Sequence, residues 1–331
     1  MTKTSYDYEV VITDSDFPDG RLEQDILCQI GANVKKYQTR NEDEVIRIAQ
    51  NADAILCDYA PINRNVLSHL QKARVIVEYG TGYDNIDVKA AQEKRIIVCN
   101  VPDFITCEVA EHTIALILSI TRRIPWADRF TKEGRWSEFG PLSWSKLMPI
   151  SHLDGKTGGI VGFGRIGRQV AERLQAFKVK IIAFDPYVSK DVASKMNVEL
   201  VELPALMQQS DFISVNCLLS KETFHLISVK ELELMKETAF IVNTARGKVI
   251  DQKALFDALK SKRIAAAGLD VLEREPSDPG DPILKLENVI TTPHIAAMSD
   301  KSMTTLRRLT AEEAARVLRG DPPTHPVTTL T

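Results

Sequence analysis

The amino-acid sequence predicts an α/β protein built on parallel β-sheets. Short β-branched runs alternate with helical patterns through most of the chain, as they do in βαβ units. The predicted strands fall into two series, and 331 residues are enough for about two domains of roughly 150 residues each. Sheets of this kind bind ligands outside the carboxyl ends of their strands, so residues that directly follow a strand are the functional candidates.

The strands of the first series are predicted at 9–13, 34–37, 54–57, 75–78 and 96–99, and those of the second at 159–162, 180–184, 212–216, 239–242, 265–270 and 289–291. The segment 107–123 between them is apolar on most faces, which predicts a helix buried between domains or at a subunit interface. The segment 124–150 holds all three Trp and is interpreted as a long irregular excursion. It would form either an interface or a loop that folds on its own domain. A last helix is predicted at 299–319, capped by Ser299 and stopped by Gly320.

Composition excludes several functional classes. The 42 Lys and Arg against 45 Asp and Glu give a net charge of −3, which predicts no general attraction to nucleic acid or to anionic membranes. The first seven residues are polar and resemble no signal peptide, and the most apolar run, 114–120, is too short to span a bilayer. Five Cys without a CxxC pair indicate buried thiols in a reducing compartment rather than a zinc site. We therefore expect a cytoplasmic protein without a bound metal.

The strongest local motif is the glycine pattern Gly162, Gly164 and Gly167, which fits GxGxxG. It follows an apolar strand and opens a helix through Arg165 and Ile166. In such a loop the first glycine permits a tight turn, the second admits a pyrophosphate, and the third packs helix against strand. The phosphates then face the amino end of the helix, whose apolar face is predicted to be Ile166, Val170, Leu174 and Phe177.

An acidic residue completes this dinucleotide pattern. Asp185 ends the next predicted strand, close to the usual ~20 residues beyond the last glycine. Its carboxylate can accept hydrogen bonds from both ribose hydroxyls of an adenosine and repel a 2′-phosphate. The sequence therefore predicts NAD as the cofactor, in preference to NADP.

Charged residues follow three further strands. Arg246 comes just after the strand 239–242, where its guanidinium could hold a carboxylate through two parallel hydrogen bonds. Glu275 and His294 follow the next two strands and could meet as a carboxylate and histidine pair, which is a tunable general acid and base. Glu273 is a second candidate carboxylate, although Glu275 is preferred. The other five His are interpreted as structural: His69, His112, His152, His225 and His325.

A glycine-rich loop follows the strand 75–78. Tyr79, Gly80, Thr81 and Gly82 are followed shortly by Asp84. The two glycines expose backbone N–H groups suited to a carboxylate or an oxyanion, although a plain turn explains the same pattern.

Taken together, these segments resemble the D-isomer-specific 2-hydroxyacid dehydrogenases. The motifs occur in the order and spacing of that family over nearly the whole chain, at 80–87, 100–102, 108–112, 159–167 with Asp185, 243–247, 269–276 and 292–294. The resemblance implies two Rossmann-like domains, with the cofactor domain inserted into a flavodoxin-like substrate domain. Residues 1–103 and 297–331 would then form the substrate domain and residues 104–296 the NAD-binding domain.

The resemblance also implies roles for individual residues. Arg246 would bind the carboxylate of a 2-oxo acid, while His294, supported by Glu275, would exchange a proton with the carbonyl oxygen. Substrate would also contact the main chain of Tyr79, Gly80 and Thr81. Cofactor contacts are implied beyond the glycine loop for Cys217, Leu218, Thr244, Ala245 and Asp270. A homodimer formed through the cofactor domains is a further implication.

Two departures from the family pattern leave the substrate open. Residues 295–298 are Ile-Ala-Ala-Met where many relatives have glycines or an aromatic residue, and Leu218 stands where many have Pro. Rival interpretations are a phosphite or formate dehydrogenase of the same superfamily, and an NADH-sensing scaffold that resembles the carboxyl-terminal binding protein corepressors. Glu275 argues against the formate enzymes, which pair their histidine with glutamine. The sequence names neither the 2-oxo acid nor the physiological direction.

Overall fold

A computed structural model describes residues 6–102 and 104–328. The chain divides into two compact units. Unit 1 comprises the described residues up to Ile105 together with those from Met298 onward, and unit 2 runs from Thr106 to Ala297. The sequence predicts that the polar amino terminus is not a signal peptide. Residues 1–5 of that segment lie outside the described residues.

Unit 1 is built on a parallel sheet. Over the described residues it has five strands in the order β2-β1-β3-β4-β5, which is the flavodoxin-like order. The strands are β1 Tyr8–Ile12, β2 Ala32–Lys36, β3 Ala54–Cys57, β4 Val75–Glu78 and β5 Ile97–Cys99. Every residue of β3 and β4 is buried, as expected for inner strands that are covered on both faces. The five predicted strands are confirmed, with ends that shift by one or two residues.

The helices of unit 1 are α1 Arg21–Leu27, α2 Glu42–Ala49, α3 Arg64–His69, α4 Val88–Glu93 and α14 Ser302–Arg319. Asn41, Asn63 and Asp87 cap the starts of α2, α3 and α4 by accepting a backbone N–H in the first turn. The predicted last helix is confirmed, but it begins at Ser302 rather than Ser299. The Ser299 hydroxyl still accepts the Ser302 amide at 2.9 Å, and Gly320 ends the helix with a φ of 88°.

Unit 2 carries the second sheet. In the described chain its seven parallel strands follow the order β12-β11-β10-β9-β6-β7-β8. The strands are β6 Thr157–Val161, β7 Lys180–Phe184, β8 Glu199–Leu200, β9 Phe212–Val215, β10 Phe240–Asn243, β11 Ala266–Leu269 and β12 Val289–Thr291. All six predicted strands are confirmed. The edge strand β8 was not predicted, because a strand of two residues, one exposed and one half-buried, is too short to give an alternating pattern.

The helices of unit 2 are α5 Thr106–Arg122, α6 Ile124–Lys132, α7 Arg135–Phe139, α8 Ser143–Leu147, α9 Arg165–Ala176, α10 Lys190–Ser194, α11 Leu203–Gln209, α12 Val229–Leu234 and α13 Gln252–Lys260. The predicted helix around 107–123 is confirmed as α5, which packs against α9 and β11 of its own unit. Its Glu111 and Ala115 are exposed, so it is not buried on every face. None of the described helices is both long and apolar enough to span a membrane.

Three expectations from the sequence are wrong, two about unit 2 and one about the cysteines of both units. The excursion 124–150 is largely helical, because Pro125 and Pro141 start helical turns, where a missing N–H costs nothing. Phe177 lies beyond the end of α9 and is exposed, so it is not part of the apolar face of that helix. Among the cysteines, Cys57 and Cys99 are buried as expected, but Cys28 and Cys107 are exposed.

Candidate active site

The carboxyl ends of the strands of unit 2 gather most of the predicted site residues at one edge of the sheet. The glycine loop follows β6 and Asp185 follows β7. Cys217 and Leu218 come after β9, and Thr244, Ala245 and Arg246 come after β10. Asp270 and Glu275 follow β11, and His294 follows β12. Because neighbouring parallel strands end at the same edge, residues distant in sequence come together there.

The glycine loop has the geometry that a pyrophosphate site requires. Gly162 has a φ of 90°, and a Cβ there would lie 2.5 Å from the Cys217 amide nitrogen. A Cβ on Gly167 would collide with the carbonyl of Gly162. A Cβ on Gly164 would meet no heavy atom within 4 Å, so this side of the loop is open. With α9 starting at Arg165, the loop fits the phosphates of a dinucleotide.

Asp185 is tied to this loop by its side chain. One carboxylate oxygen accepts the Phe163 amide at 2.8 Å, and the other accepts the Tyr187 amide at 2.9 Å. A carboxylate has about four acceptor positions. The remaining positions can accept ribose hydroxyls without breaking the contacts that hold the loop.

The segments after β9 and β10 provide apolar and small polar surface. Leu218 is exposed, and Cys217 is half-buried. Burial raises the pKa of the Cys217 thiol to about 12, so it stays neutral at physiological pH. Thr244 is held to α5 by a hydrogen bond of 2.8 Å between its hydroxyl and that of Thr113.

His294 and Glu275 form the closest charged contact at this edge of the sheet. The distance from His294 Nδ1 to Glu275 Oε2 is 2.7 Å, and both side chains stay about one-third exposed to solvent, at 27% and 32%. The Leu272 amide donates to Glu275 Oε1 at 2.9 Å. Burial raises the pKa of Glu275, but its contacts with His294, the Leu272 amide and the charge of Arg246 outweigh it and leave the pKa below the usual value. Glu275 is therefore ionised at neutral pH.

Arg246 lies next to this pair. Its Nη1 donates to the carbonyl of Ala245 at 3.1 Å, and its charge contributes to the low pKa of Glu275. The next residue must be glycine, because a Cβ on Gly247 would overlap the backbone of Leu272 and Glu273. The loops that carry Arg246 and Glu275 are thus in direct backbone contact.

Asp270 holds the segment that carries His294. Its buried carboxylate accepts the Thr292 hydroxyl at 2.5 Å and the amides of Ile295 and Ala296 at 3.0 and 2.8 Å. The Asp270 carbonyl accepts the His294 amide at 2.8 Å. These bonds fix the backbone on both sides of His294. The nicotinamide contact that the resemblance implies for Asp270 stays a prediction.

His112 joins this network, which its interpretation as a structural histidine did not anticipate. Its Nε2 lies 3.0 Å from the Thr292 hydroxyl and 3.5 Å from Asp270. Since the Thr292 hydroxyl donates to Asp270, the contact with His112 requires the Nε2–H form of the ring. A histidine on a helix gives no sequence signal for such a contact, because its partners follow strands that lie far along the chain.

Glu273, the alternative to Glu275, has a different partner. Its Oε1 lies 2.8 Å from Nε2 of His225 and accepts the Gln252 amide at 2.9 Å. Together with Asp251, these side chains place one ligand atom each within 4.8 Å of the others, a spacing that a divalent cation could also use. His225 Nε2 is buried and lies close to Glu273 Oε1, but the contact does not have hydrogen-bond geometry.

In unit 1 the loop Tyr79–Thr81 follows β4 at the carboxyl edge of that sheet. The Tyr79 ring is buried, and its hydroxyl donates to Glu23 at 3.1 Å. Its amide already donates to the Cys57 carbonyl at 2.7 Å, so the amides that can turn toward a ligand are those of Gly80 and Thr81. Asn100 donates to the Thr81 carbonyl at 2.7 Å and fixes the far side of the loop.

Comparisons with known proteins show which family this chain belongs to. Residues 114–296 match the sequence model of the D-isomer specific 2-hydroxyacid dehydrogenase NAD binding domain. A glyoxylate reductase of Korarchaeum cryptofilum is 41% identical over 84% of this chain and 83% of its own. A D-3-phosphoglycerate dehydrogenase of Archaeoglobus fulgidus is 39% identical over 90% of this chain, which spans only 55% of that relative. A D-lactate dehydrogenase of Aquifex aeolicus, solved with NAD and lactic acid, superimposes with a TM-score of 0.83 and 29% identity, over 94% of this chain and 96% of the other.

The fold and the glycine loop of unit 2 define a dinucleotide-dependent oxidoreductase. More narrowly, the chain belongs to the D-isomer specific 2-hydroxyacid dehydrogenase family. It is an NAD-dependent enzyme that transfers a hydride between NAD(H) and an acid, which interconverts between its 2-oxo and 2-hydroxy forms.

Proposed function

We infer that Arg246, Glu275 and His294 are the catalytic residues of this enzyme, and that it reduces a small 2-oxo acid of the glyoxylate type. The observation that carries the assignment is the 2.7 Å contact between His294 and Glu275 beside Arg246, at the strand ends where the glycine loop also lies. Glyoxylate is the first substrate to test, because relatives named glyoxylate reductase align over most of this chain.

Each of the three side chains has a distinct task in reduction. The Arg246 guanidinium binds the substrate carboxylate through two parallel hydrogen bonds and thereby orients the neighbouring carbonyl. Bound NADH supplies the hydride. His294 donates its Nε2 proton to the carbonyl oxygen as the charge on that oxygen develops. Glu275 stabilises the protonated imidazole before the transfer and fixes its orientation through Nδ1.

The same residues serve oxidation in reverse. Neutral His294 accepts the hydroxyl proton of the 2-hydroxy acid, and the Glu275 carboxylate stabilises the imidazolium that forms. Reduction therefore requires protonated His294 and oxidation requires the neutral ring. Opposite pH dependence of the two directions is a direct consequence.

The cofactor and substrate assignments complete the proposal. NAD contacts fall on Gly162, Gly164, Arg165, Ile166, Gly167 and Asp185, and on Cys217, Leu218, Thr244, Ala245 and Asp270. Unit 2 is thus the NAD-binding domain and unit 1 the substrate domain, whose contribution is the main chain of Tyr79, Gly80 and Thr81. The Asp185 carboxylate selects NAD over NADP.

We also propose that the enzyme is a cytoplasmic homodimer. Large apolar residues of the helical excursion are solvent-exposed in the single chain, with Trp136, Leu142 and Trp144 at 62%, 64% and 63%. Exposed aromatic residues grouped in one segment favour a protein interface there. Sedimentation equilibrium tests this directly: a dimer that dissociates on Trp144→Ser supports the proposal, and a monomeric parent protein contradicts it.

A substrate panel tests the catalytic proposal. The purified protein is given NADH with glyoxylate, hydroxypyruvate, pyruvate, phenylpyruvate and larger 2-oxo acids, and cofactor oxidation is followed. Turnover of at least one acid is expected. NADH binding without turnover of any of them would favour the NADH-sensing scaffold, and oxidation of phosphite in their place would favour the phosphite dehydrogenases.

A further inference from the structure

His225 has a strained backbone conformation and contacts the segment that follows Arg246. Its φ is 50°, in the left-handed region that residues other than Gly, Asn and Asp seldom occupy. Its amide donates to the Lys248 carbonyl at 2.9 Å, and its ring stacks on Phe224 with the centroids 4.0 Å apart. The residue is therefore held beside the segment that begins at Arg246.

The ring of His225 also reaches the next loop. Nε2 lies 2.8 Å from Glu273 Oε1, and the two side chains are equally exposed, at 32%. Glu273 is joined to Gln252 by two reciprocal bonds, since the Gln252 amide donates to the Glu273 carboxylate and the Glu273 amide donates to the Gln252 side chain, at 2.9 and 3.0 Å. The two bonds of Gln252 thus clamp the loop after β11 onto the segment after β10, and the His225 ring makes a close polar contact with the same carboxylate.

Glu273 directly follows the residue whose amide holds the Glu275 carboxylate. Leu272, the residue before Glu273, gives its amide to Glu275 Oε1, while Glu275 Oε2 meets His294. Gly247, the residue after Arg246, lies against the backbone of the same Leu272 and Glu273. A shift of Glu273 therefore displaces the Leu272 amide and with it the carboxylate that faces His294.

We propose that His225 and Glu273 are a positioning pair that holds the Leu272 amide in place and so aims Glu275 at His294. The inference rests on the proposed function, because it concerns how the proposed acid and base are held. Neither residue is required to touch substrate or cofactor.

The variant His225→Asn has a side chain too short to contact Glu273. It still suits the left-handed backbone, since Asn is favoured there. Activity in 2-oxo acid reduction should fall about 10- to 100-fold, the scale on which small misplacements of a catalytic group act. NADH affinity, measured by fluorescence titration of the binary complex, should not change. The pH at which reduction fades should move down, because a displaced Glu275 stabilises the imidazolium of His294 less well.

Two further variants sharpen the result. His225→Gln keeps a donor of similar reach and should recover most of the activity. Lys253→Ala removes an exposed ion pair with Asp257 on the neighbouring helix α13 and serves as the matched control, which should behave like the parent.

The decisive comparison is a double-mutant cycle with Glu275→Gln. If His225 acts through Glu275, then His225→Asn should cause no further displacement of the pH profile once Glu275 is Gln. Displacements that simply add would overturn the proposal, as would a parent-like profile for His225→Asn. Loss of NADH affinity and thermal stability in step with activity would show a merely structural role and also overturn it. Absence of turnover in the parent protein would instead overturn the proposed function, together with this inference.

Discussion

Two histidine–carboxylate pairs lie at the same edge of the unit 2 sheet and differ in their surroundings more than in their geometry. His294 and Glu275 are 2.7 Å apart, and His225 and Glu273 are 2.8 Å apart. The charge of Arg246 lowers the pKa of Glu275, and the partner histidine lies three residues beyond the end of β12. Glu273 is bonded to the Gln252 amide and lies near a second carboxylate, Asp251. We propose that the same pair of side chains serves proton transfer in one place and support in the other.

This contrast shows that a histidine paired with a carboxylate does not define an active site on its own. What distinguishes the first pair is the nearby charge of Arg246, which we propose binds the substrate carboxylate. The predictions below test that distinction, from the largest expected effect to the smallest.

Removing the proton donor should have the largest effect. His294→Gln keeps a side chain of similar size but cannot supply a proton at neutral pH. The turnover number for 2-oxo acid reduction should fall about 10²- to 10⁴-fold, the usual contribution of general acid catalysis. Steady-state kinetics with NADH measures the loss. A variant that retains parent-like turnover would place the acid elsewhere.

Arg246→Lys should be the next most damaging change. A lysine keeps the positive charge but cannot form two parallel hydrogen bonds to a carboxylate. The expected loss is about 3 kcal/mol in transition-state stabilisation, on the scale of charged hydrogen bonds. Both KM and kcat for the 2-oxo acid should worsen, while NADH binding in the absence of substrate should not. Near-normal kinetics would show that another group binds the carboxylate.

A smaller effect is expected at the cofactor site. Asp185→Ser removes the acceptors for the ribose hydroxyls and the repulsion of a 2′-phosphate, so NAD affinity should fall while use of NADP improves. The ratio of kcat/KM for the two cofactors measures the change, with Asp191→Ser on the exposed helix α10 as the control. The proposal fails at this residue if the parent protein uses both cofactors equally well.

The sequence predicted the strands well, because they follow from local patterns. Buried parallel strands are continuous β-branched runs, and the residues after them are where such sheets bind ligands. The helical nature of the excursion 124–150 was missed, since its prolines read as breakers although Pro125 and Pro141 begin helical turns.

Local sequence patterns could not predict the contacts that support the site. Asp270 with Thr292, His112 with Thr292, and His225 with Glu273 each join residues that are distant in sequence. Only the packing of neighbouring strand ends brings them together. The choice of Glu275 over Glu273 for His294 was made from the sequence, and the separate partners of the two carboxylates favour it.

The comparison of the two pairs is tested most directly by the pH dependence of Glu275→Gln, measured in both reaction directions. Glu275 is ionised at neutral pH because its pKa lies below the usual value, so the variant removes a charge and keeps the shape. Protonated His294 then loses stabilisation. Reduction should fade, and oxidation should begin, at a pH lower by about 1–3 units, the effect expected from one nearby opposite charge. The exposed Glu172→Gln on α9 should leave both profiles in place, and profiles of Glu275→Gln that overlay those of the parent would contradict the assignment of His294 and Glu275 as the acid and base.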